Sequence, residues 1–188
     1  YLDIPLQHIA DPVLRRMGRK ITRAKTEALI AALQKHVPGI ALRTTFIVGF
    51  PGETDTDFEQ LMDFTERTRF DHLGVFTYSD EDGTPAARLP GKVPEAVKRE
   101  RRHRLMSLQR RISREKLAAC KGTELTVLVE GPAANNRYSA QARSEFQAPE
   151  VDGVVLLQEK LQPGTMVRVR ITRALTYDLA AKALCHDA

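Results

Sequence analysis

The run Thr45-Phe46-Ile47-Val48-Gly49-Phe50-Pro51-Gly52-Glu53-Thr54 holds a whole strand-to-helix junction. An apolar, β-branched strand stops at Gly-Phe-Pro-Gly-Glu, and Thr54 opens a helix at once. Such a junction belongs to an α/β sheet, where ligands gather at the carboxyl ends of the strands. Gly49 and Gly52 leave the backbone bare enough for a ligand to come close. Phe50 puts an aromatic where a loop is ordinarily polar, which suits a surface that covers something flat. A plain turn is the competing reading. Arg43 on the same strand argues for a ligand, because a guanidinium in an apolar strand needs an anionic partner.

The neighbouring segments repeat the alternation. Tyr1 to Gln7 reads as a strand, followed by Asp11-Pro12 as an N-cap with Pro at the first helical position. A helix from about Thr22 to His36 carries Leu29, Ile30, Leu33 and Val37 on one face and stops at Pro38-Gly39. Ala41 to Gly49 is apolar apart from Arg43, Thr44 and Thr45, the pattern of a strand covered on both faces. Thr54 to Thr68 turns Phe58, Leu61, Met62 and Thr65 inward, and Leu73 to Tyr78 is the next strand. This β-α-β-α-β order predicts a parallel sheet or part of a (βα) barrel. The first strand would leave an apolar edge, so Tyr1 to Gln7 is expected to pair poorly unless something covers it. A chain that opens on Tyr1, already inside a strand, suggests a piece of something longer.

Ser79 to Pro94 is polar and rich in Gly and Pro, hence loop. A basic helix follows, with Val97, Leu105, Leu108 and Ile112 as a narrow apolar seam. After Gly122 the pattern changes to alternation. Leu125 to Val129, Gly153 to Leu157 and Met166 to Ile171 read as strands, separated by the turn residues Gly131-Pro132, Asn135-Asn136 and Gln162-Pro163-Gly164. Short strands at that density predict a small antiparallel barrel of the OB kind. The expected organisation is therefore an α/β part over 1–94, a connecting helix over 95–121 and a barrel over 122–188, with the boundary near Lys121.

Charge is concentrated in the connecting helix. Residues 95–116 hold nine Lys or Arg against three glutamates, a surplus that accounts for the net charge of +5 on all 188 residues. One reading is a solvated helix face; the other is contact with RNA phosphates. Hydrophobic content of 42% and charged content of 28% describe a globular chain. No apolar stretch reaches the ~20 residues of a membrane span, and no signal peptide is visible, so a reducing cytoplasm is the default. Cys120 and Cys185 stand 65 positions apart, without disulfide or metal spacing, and read as incidental thiols. His8 lacks a second ligand at metal spacing and reads as a hydrogen-bonding residue. Glu53 reads as a charge favourable at a helix start, and Asp80-Glu81-Asp82 as a solvated loop tip. No Gly-Lys-Ser/Thr follows the opening loop and no Gly-x-Gly-x-x-Gly is present, which excludes a P-loop and a Rossmann fingerprint.

Tyr1-Leu-Asp-Ile-Pro-Leu-Gln-His8, Arg43-Thr-Thr-Phe-Ile-Val-Gly-Phe-Pro-Gly-Glu53 and Val75-Phe-Thr-Tyr-Ser79 resemble the later strands of a radical S-adenosylmethionine enzyme of the methylthiotransferase family. Ile4-Pro-Leu-Gln-His8 looks more like the branch that modifies a ribosomal protein than the branch that modifies tRNA. Ala148-Pro-Glu-Val-Asp-Gly153 and Ala174-Leu-Thr-Tyr-Asp-Leu179 are similar to that family's C-terminal TRAM domain. The resemblance implies the C-terminal part of an open (βα)6 radical-SAM barrel followed by the OB-like TRAM barrel. It implies an enzyme that cleaves S-adenosylmethionine to a 5′-deoxyadenosyl radical and inserts a methylthio group. In the ribosomal branch the target is the β-carbon of an aspartate in small-subunit ribosomal protein S-twelve.

The same resemblance suggests roles for individual residues. Gln7 would meet the ribose or amino-acid part of the cofactor and Arg43 its methionyl carboxylate. Ile47, Gly49 and Phe50 would line the adenine, with Tyr78 closing the far side. The family's [4Fe–4S] clusters are held by cysteines spaced Cys-x3-Cys-x2-Cys and by a further set, none of which this chain contains. No catalytic or metal-ligating residue is therefore assigned, and the chain alone is expected to be inactive or to act only as a binding module. Arg168, Arg170 and Arg173 would recognise the substrate: alternation places Arg168 and Arg170 on one face of a strand and Val167, Val169 and Ile171 on the other. Tyr138, Phe146 and Tyr177 are few for stacking on bases, which favours a protein substrate over single-stranded RNA.

Overall fold

Thr22 and Thr54 start the two longer helices of the first half by side-chain capping. In the computed structural model, which describes residues 1–184, Thr22 Oγ1 accepts the Lys25 N–H at 3.4 Å. Thr54 and Asp57 form a reciprocal capping box, Oγ1 accepting the Asp57 N–H and Asp57 Oδ2 accepting the Thr54 N–H. The elements of this half are β1 (Leu2–Gln7), α1 (Asp11–Arg16), α2 (Arg23–His36), β2 (Leu42–Val48), α3 (Asp55–Thr68) and β3 (His72–Thr77). The strands form a parallel sheet in the order β1-β2-β3. Two local expectations are corrected. Ala10, not Asp11, is the N-cap of α1, and the Asp11 carboxylate instead accepts the Arg23 N–H at 2.6 Å. On α2 the buried side chains are Thr26 and Ile30, whereas Leu29 and Val37 are exposed.

The sheet is covered on one face only, which corrects the reading of β2 as buried on both. Leu42, Thr44, Phe46 and Val48 are buried; Arg43, Thr45 and Ile47 between them are only half-buried. The buried face is filled by Phe58, Leu61 and Phe64 of α3, and the rings of Phe46, Phe64 and Phe70 meet edge to face at 5.8–6.4 Å. On the other face Asp3, Arg43 and His72 are in register, as are Thr45 with Gly74 and Ile47 with Phe76. Phe76 is 63% exposed there. Ile47 made the strand look continuous, and the consecutive polar residues Arg43, Thr44 and Thr45 hid the period of two, because Thr44 is buried. β1 has β2 as its sheet neighbour and an irregularity between Ile4 and Gln7, whose φ is +70°.

The long helix α4 (Glu95–Ala119) leads into β4 (Glu124–Pro132), β5 (Ala140–Ser144), β6 (Val155–Leu157), β7 (Met166–Ala174) and β8 (Leu179–Ala183). These strands close into a barrel, β4-β5-β6-β8-β7. All neighbours are antiparallel except β6 and β8, which run parallel, so the barrel is not purely antiparallel as expected. Val127, Val129, Val155, Leu157, Val169 and Ile171 fill its interior, and Leu117 and Cys120 pack against them. Two segments singled out in the sequence meet here. Gly153 lies so close to the Tyr177 carbonyl that a Cβ would collide with it, and Asp178 Oδ1 accepts the Val154 N–H at 2.9 Å. Leu2–Gln109 form one compact unit and the chain from Arg110, with Tyr1, another. Among the described residues no helix is long and apolar enough to cross a membrane; Cys185 lies outside them.

Candidate functional site

The loop after β2 is held from behind by buried charge. Glu53 Oε2 accepts the Gly49 N–H at 2.6 Å and the Phe50 N–H at 3.1 Å. Its other oxygen accepts from Arg101 Nη1 at 2.9 Å, and Arg101 Nη2 reaches Asp55 at 2.7 Å. Both Glu53 and Arg101 are buried. Burial pushes the Glu53 carboxyl up to about 7, against the opposing pull of Arg101 and the two amides. Glu53, read from the sequence as a helix-start charge, is the buried internal anchor of the loop. Buried His8 lies beside it, Nε2 at 3.8 Å from Glu53 Oε2, while Nδ1 accepts the Ala10 N–H at 3.0 Å. Burial lowers the His8 pKa to about 4, so the ring is neutral at pH 7 and serves as the hydrogen-bonding residue expected.

The two loop glycines make room for side chains of this same chain. Gly49 and Gly52 have φ of +75° and +81°. A Cβ on Gly49 would collide with the Lys98 stem, and one on Gly52 with the Arg16 guanidinium. The close approach expected of a ligand is thus made, at these two Cα atoms, by Lys98 and Arg16. Lys98 is buried and donates from Nζ to the Tyr78 carbonyl at 2.9 Å. Phe50 and Tyr78 meet edge to face with centroids 5.0 Å apart, and Ile47 packs on the same cluster. The Tyr78 ring, expected to close the far side of the adenine, thus lies directly against Phe50. Tyr78 donates its hydroxyl to Asp80 at 2.9 Å, and Lys92 also pairs with Asp80, so this part of the acidic loop is tied down.

Arg43 and Ile47 share the half-buried face of β2, with the Phe50 and Tyr78 rings at the carboxyl end. Arg43 does have an anionic partner, Asp3 at 3.4 Å across the strand pair. Gln7 ends β1 in register with Phe46. Sequence reasoning missed Lys98 and Arg101, which it grouped with the other cations of α4. The signal was present: positions 98, 101, 105, 108 and 112 continue one seam at spacings of three and four, so two cations stand where core side chains belong.

On the barrel, Arg168 and Arg170 share a face as expected, but both bind one carboxylate, Glu124, at 2.7 Å each. These arginines hold the Glu124 carboxyl below its ordinary range. Arg173 follows an irregularity between Ile171 and Arg173, and lines a pocket with Arg137, Tyr138, Gln158 and Lys182. Lys182 escaped notice because β8, mostly small residues, carries no clear alternation.

Residues 1–65 match the radical SAM superfamily and residues 122–184 the TRAM domain. Similar curated proteins include one from Geotalea uraniireducens, 51% identical over 180 residues, which cover 95% of this chain and 40% of the relative. Another, from Desulforudis audaxviator, is 51% identical over 98% of this chain and 41% of its own length. A third, from Geobacter sulfurreducens, is 46% identical over 98% and 41%. Each is named ribosomal protein uS12 methylthiotransferase RimO. Over nearly its whole length the chain is similar to radical S-adenosylmethionine methylthiotransferases. It spans about 40% of the length of the curated relatives it matches. Within the radical SAM part, the half-buried sheet face offers a guanidinium that suits the carboxylate of S-adenosylmethionine and, in Ile47, an apolar side chain, while Phe50 and Tyr78 at its end are buried in a cluster with Ala10 and Val13. An iron–sulfur cluster does not fit the residues present, because no group of three or more His, Cys, Asp or Glu among the described residues could hold a metal.

Proposed function

We propose that this chain supplies one wall of the S-adenosylmethionine site and the substrate-recognition barrel of an enzyme that methylthiolates ribosomal protein S-twelve, at the β-carbon of an aspartate, in the cytoplasm. Identity of about 50% running through both units to proteins named for that reaction carries the reading. When bound, S-adenosylmethionine supplies radical hydrogen abstraction, with [4Fe–4S] clusters whose ligands lie outside this chain. Arg43 pairs with the methionyl carboxylate, exchanging or sharing Asp3. Gln7 meets the ribose or amino-acid part. Ile47, Phe50 and Tyr78 form the apolar surface against adenine and exclude water from it, and Gly49, its Cα covered by the Lys98 stem, supplies the positive-φ turn that sets Phe50.

Arg168, Arg170 and Arg173 receive the substrate protein. On α4 the exposed Arg99, Arg110 and Arg114 are available to ribosomal RNA, whereas Lys98, Arg101, Arg102 and Arg104 are engaged with Tyr78, Glu53, Val75 and Glu59. Mass spectrometry of cells with and without the gene tests the activity. Ribosomal protein S-twelve should gain the mass of a methylthio group in place of a hydrogen. The same gain on tRNA, with S-twelve unmodified, would assign the tRNA branch instead. For the site, Arg43→Ala in the full-length protein should weaken S-adenosylmethionine binding; unchanged affinity removes the carboxylate role.

A further inference from the structure

We propose that Lys98 and Arg101 of α4 are positioning residues that set the shape of the S-adenosylmethionine wall, so that the connecting helix tunes cofactor affinity without touching the cofactor. The inference rests on the reading of Phe50 and Tyr78 as that wall. Each cation grips one side of it. Arg101 holds the Glu53 carboxylate and, at 3.2 Å, the Glu53 carbonyl, and that carboxylate holds the amides of Gly49 and Phe50. Lys98 binds the Tyr78 carbonyl, lays its stem where a Gly49 Cβ would be, and places Nζ 5.4 Å from the centre of the Tyr78 ring. The two halves of the wall come from different strand ends, after β2 and after β3, and this pair of side chains on adjacent turns of α4 links them. A ring displaced by about 1 Å loses much of its contact with a flat ligand, so the link should be read out as affinity.

Among the described cations of α4, Lys98 and Arg101 are the buried ones. Arg104, one turn further on, pairs with Glu59 at the surface, and both partners are exposed. It is the natural control, having the same charge on the same helix.

The test measures equilibrium binding of S-adenosylmethionine to the full-length protein and, separately, hydrogen exchange of the Gly49 and Phe50 amides. Arg101→Met and Lys98→Met should each raise the dissociation constant about tenfold. Arg101→Met should also speed amide exchange, Arg101→Lys should restore part of both, and Arg104→Met should leave both unchanged. The pH dependence adds a readout that general loss of packing would not move. The charged and titratable groups around Glu53 are Arg101, which also binds Asp55, and His8, which feels Asp57. Removing Arg101 takes away the main charge favouring the Glu53 anion, so affinity should fall away at a higher pH than in the parent protein. Phe50→Ala separates the two ways to fail. If it weakens binding and neither Arg101→Met nor Lys98→Met does, the positioning role is overturned. If Phe50→Ala also binds normally, the wall is not at the cofactor and the underlying reading falls with it.

Discussion

Glu53 and Glu124 are both gripped by arginine, one in each compact unit, and their surroundings set them apart. Glu53 is buried, shares its oxygens between Arg101 and two loop amides, and has its pKa pushed up to about 7. Glu124 sits at the barrel surface between Arg168 and Arg170, and its pKa is lowered. The opposite directions follow from one competition. Desolvation opposes the charged form and attraction favours it; burial makes desolvation win at Glu53, and solvent lets attraction win at Glu124. The buried pair is thus a structural commitment, costly to break. The exposed pair costs little and leaves its arginines accessible to a partner.

The largest effect should come from breaking the buried pair. Arg101→Met leaves Glu53 without its cation in a dry site, and should destabilise the first unit by roughly 3–5 kcal/mol, measured by urea unfolding. A loss under about 1 kcal/mol would put the pair in the same class as the surface one.

A second prediction uses the pH dependence. His8, with its pKa lowered to about 4, binds fewer protons when folded than unfolded, so its contribution to stability falls as pH drops from 6.5 towards 4. Glu53, raised to about 7, binds more when folded, so its contribution rises as pH drops from 7 towards 4.5. In the parent chain the two trends oppose each other and stability should be nearly flat between pH 4.5 and 6.5. Glu53→Gln removes one of them. The variant should lose on the order of 2–3 kcal/mol across that window on acidification; a variant as flat as the parent would show that His8 is not held neutral by the fold.

Gly49→Ala comes next. Its positive φ and the Lys98 stem both resist a Cβ, for a cost of about 1–3 kcal/mol. Pairing it with Lys98→Ala should recover the part due to collision and leave the backbone part, which thermal unfolding of the three variants resolves.

Much of the architecture was legible because local patterns and tertiary contacts agreed: α3 has its capping Thr54 and inward Phe58, Leu61 and Thr65, and β7 has its alternating arginines and valines. The candidate loop was legible by its odd composition. What was not legible depended on partners distant in sequence. Glu53 looks solvated beside Thr54 until α4 brings Arg101 against it, 48 positions later. Gly49 looks like space for a ligand until the Lys98 stem is seen to occupy it. β5 and β8 are short and rich in Ala, Ser and Gln or Lys, with little to distinguish them from loop. Their pairing comes from closure of the barrel, which no window of a few residues contains.

The smallest stability effect is expected at the exposed pair, and there the comparison becomes functional. Arg168→Ala and Arg170→Ala should each change barrel stability by no more than about 1 kcal/mol, because the arginines lie in solvent and the strand is held by Val169 and Ile171 inside. If these side chains receive the substrate, the same variants should weaken binding of ribosomal protein S-twelve by the full-length protein, and more so at low salt than at high salt, since salt screens exposed charge. Glu124→Gln sharpens the point. It removes the shared counter-charge but keeps both guanidinium groups, so stability should again hardly move while substrate binding shifts. Variants that lose stability by several kcal/mol, or that keep full binding at every salt concentration, would mean that the Glu124 cluster closes the barrel in the way Glu53 anchors the loop, and that the difference in burial does not separate the two roles.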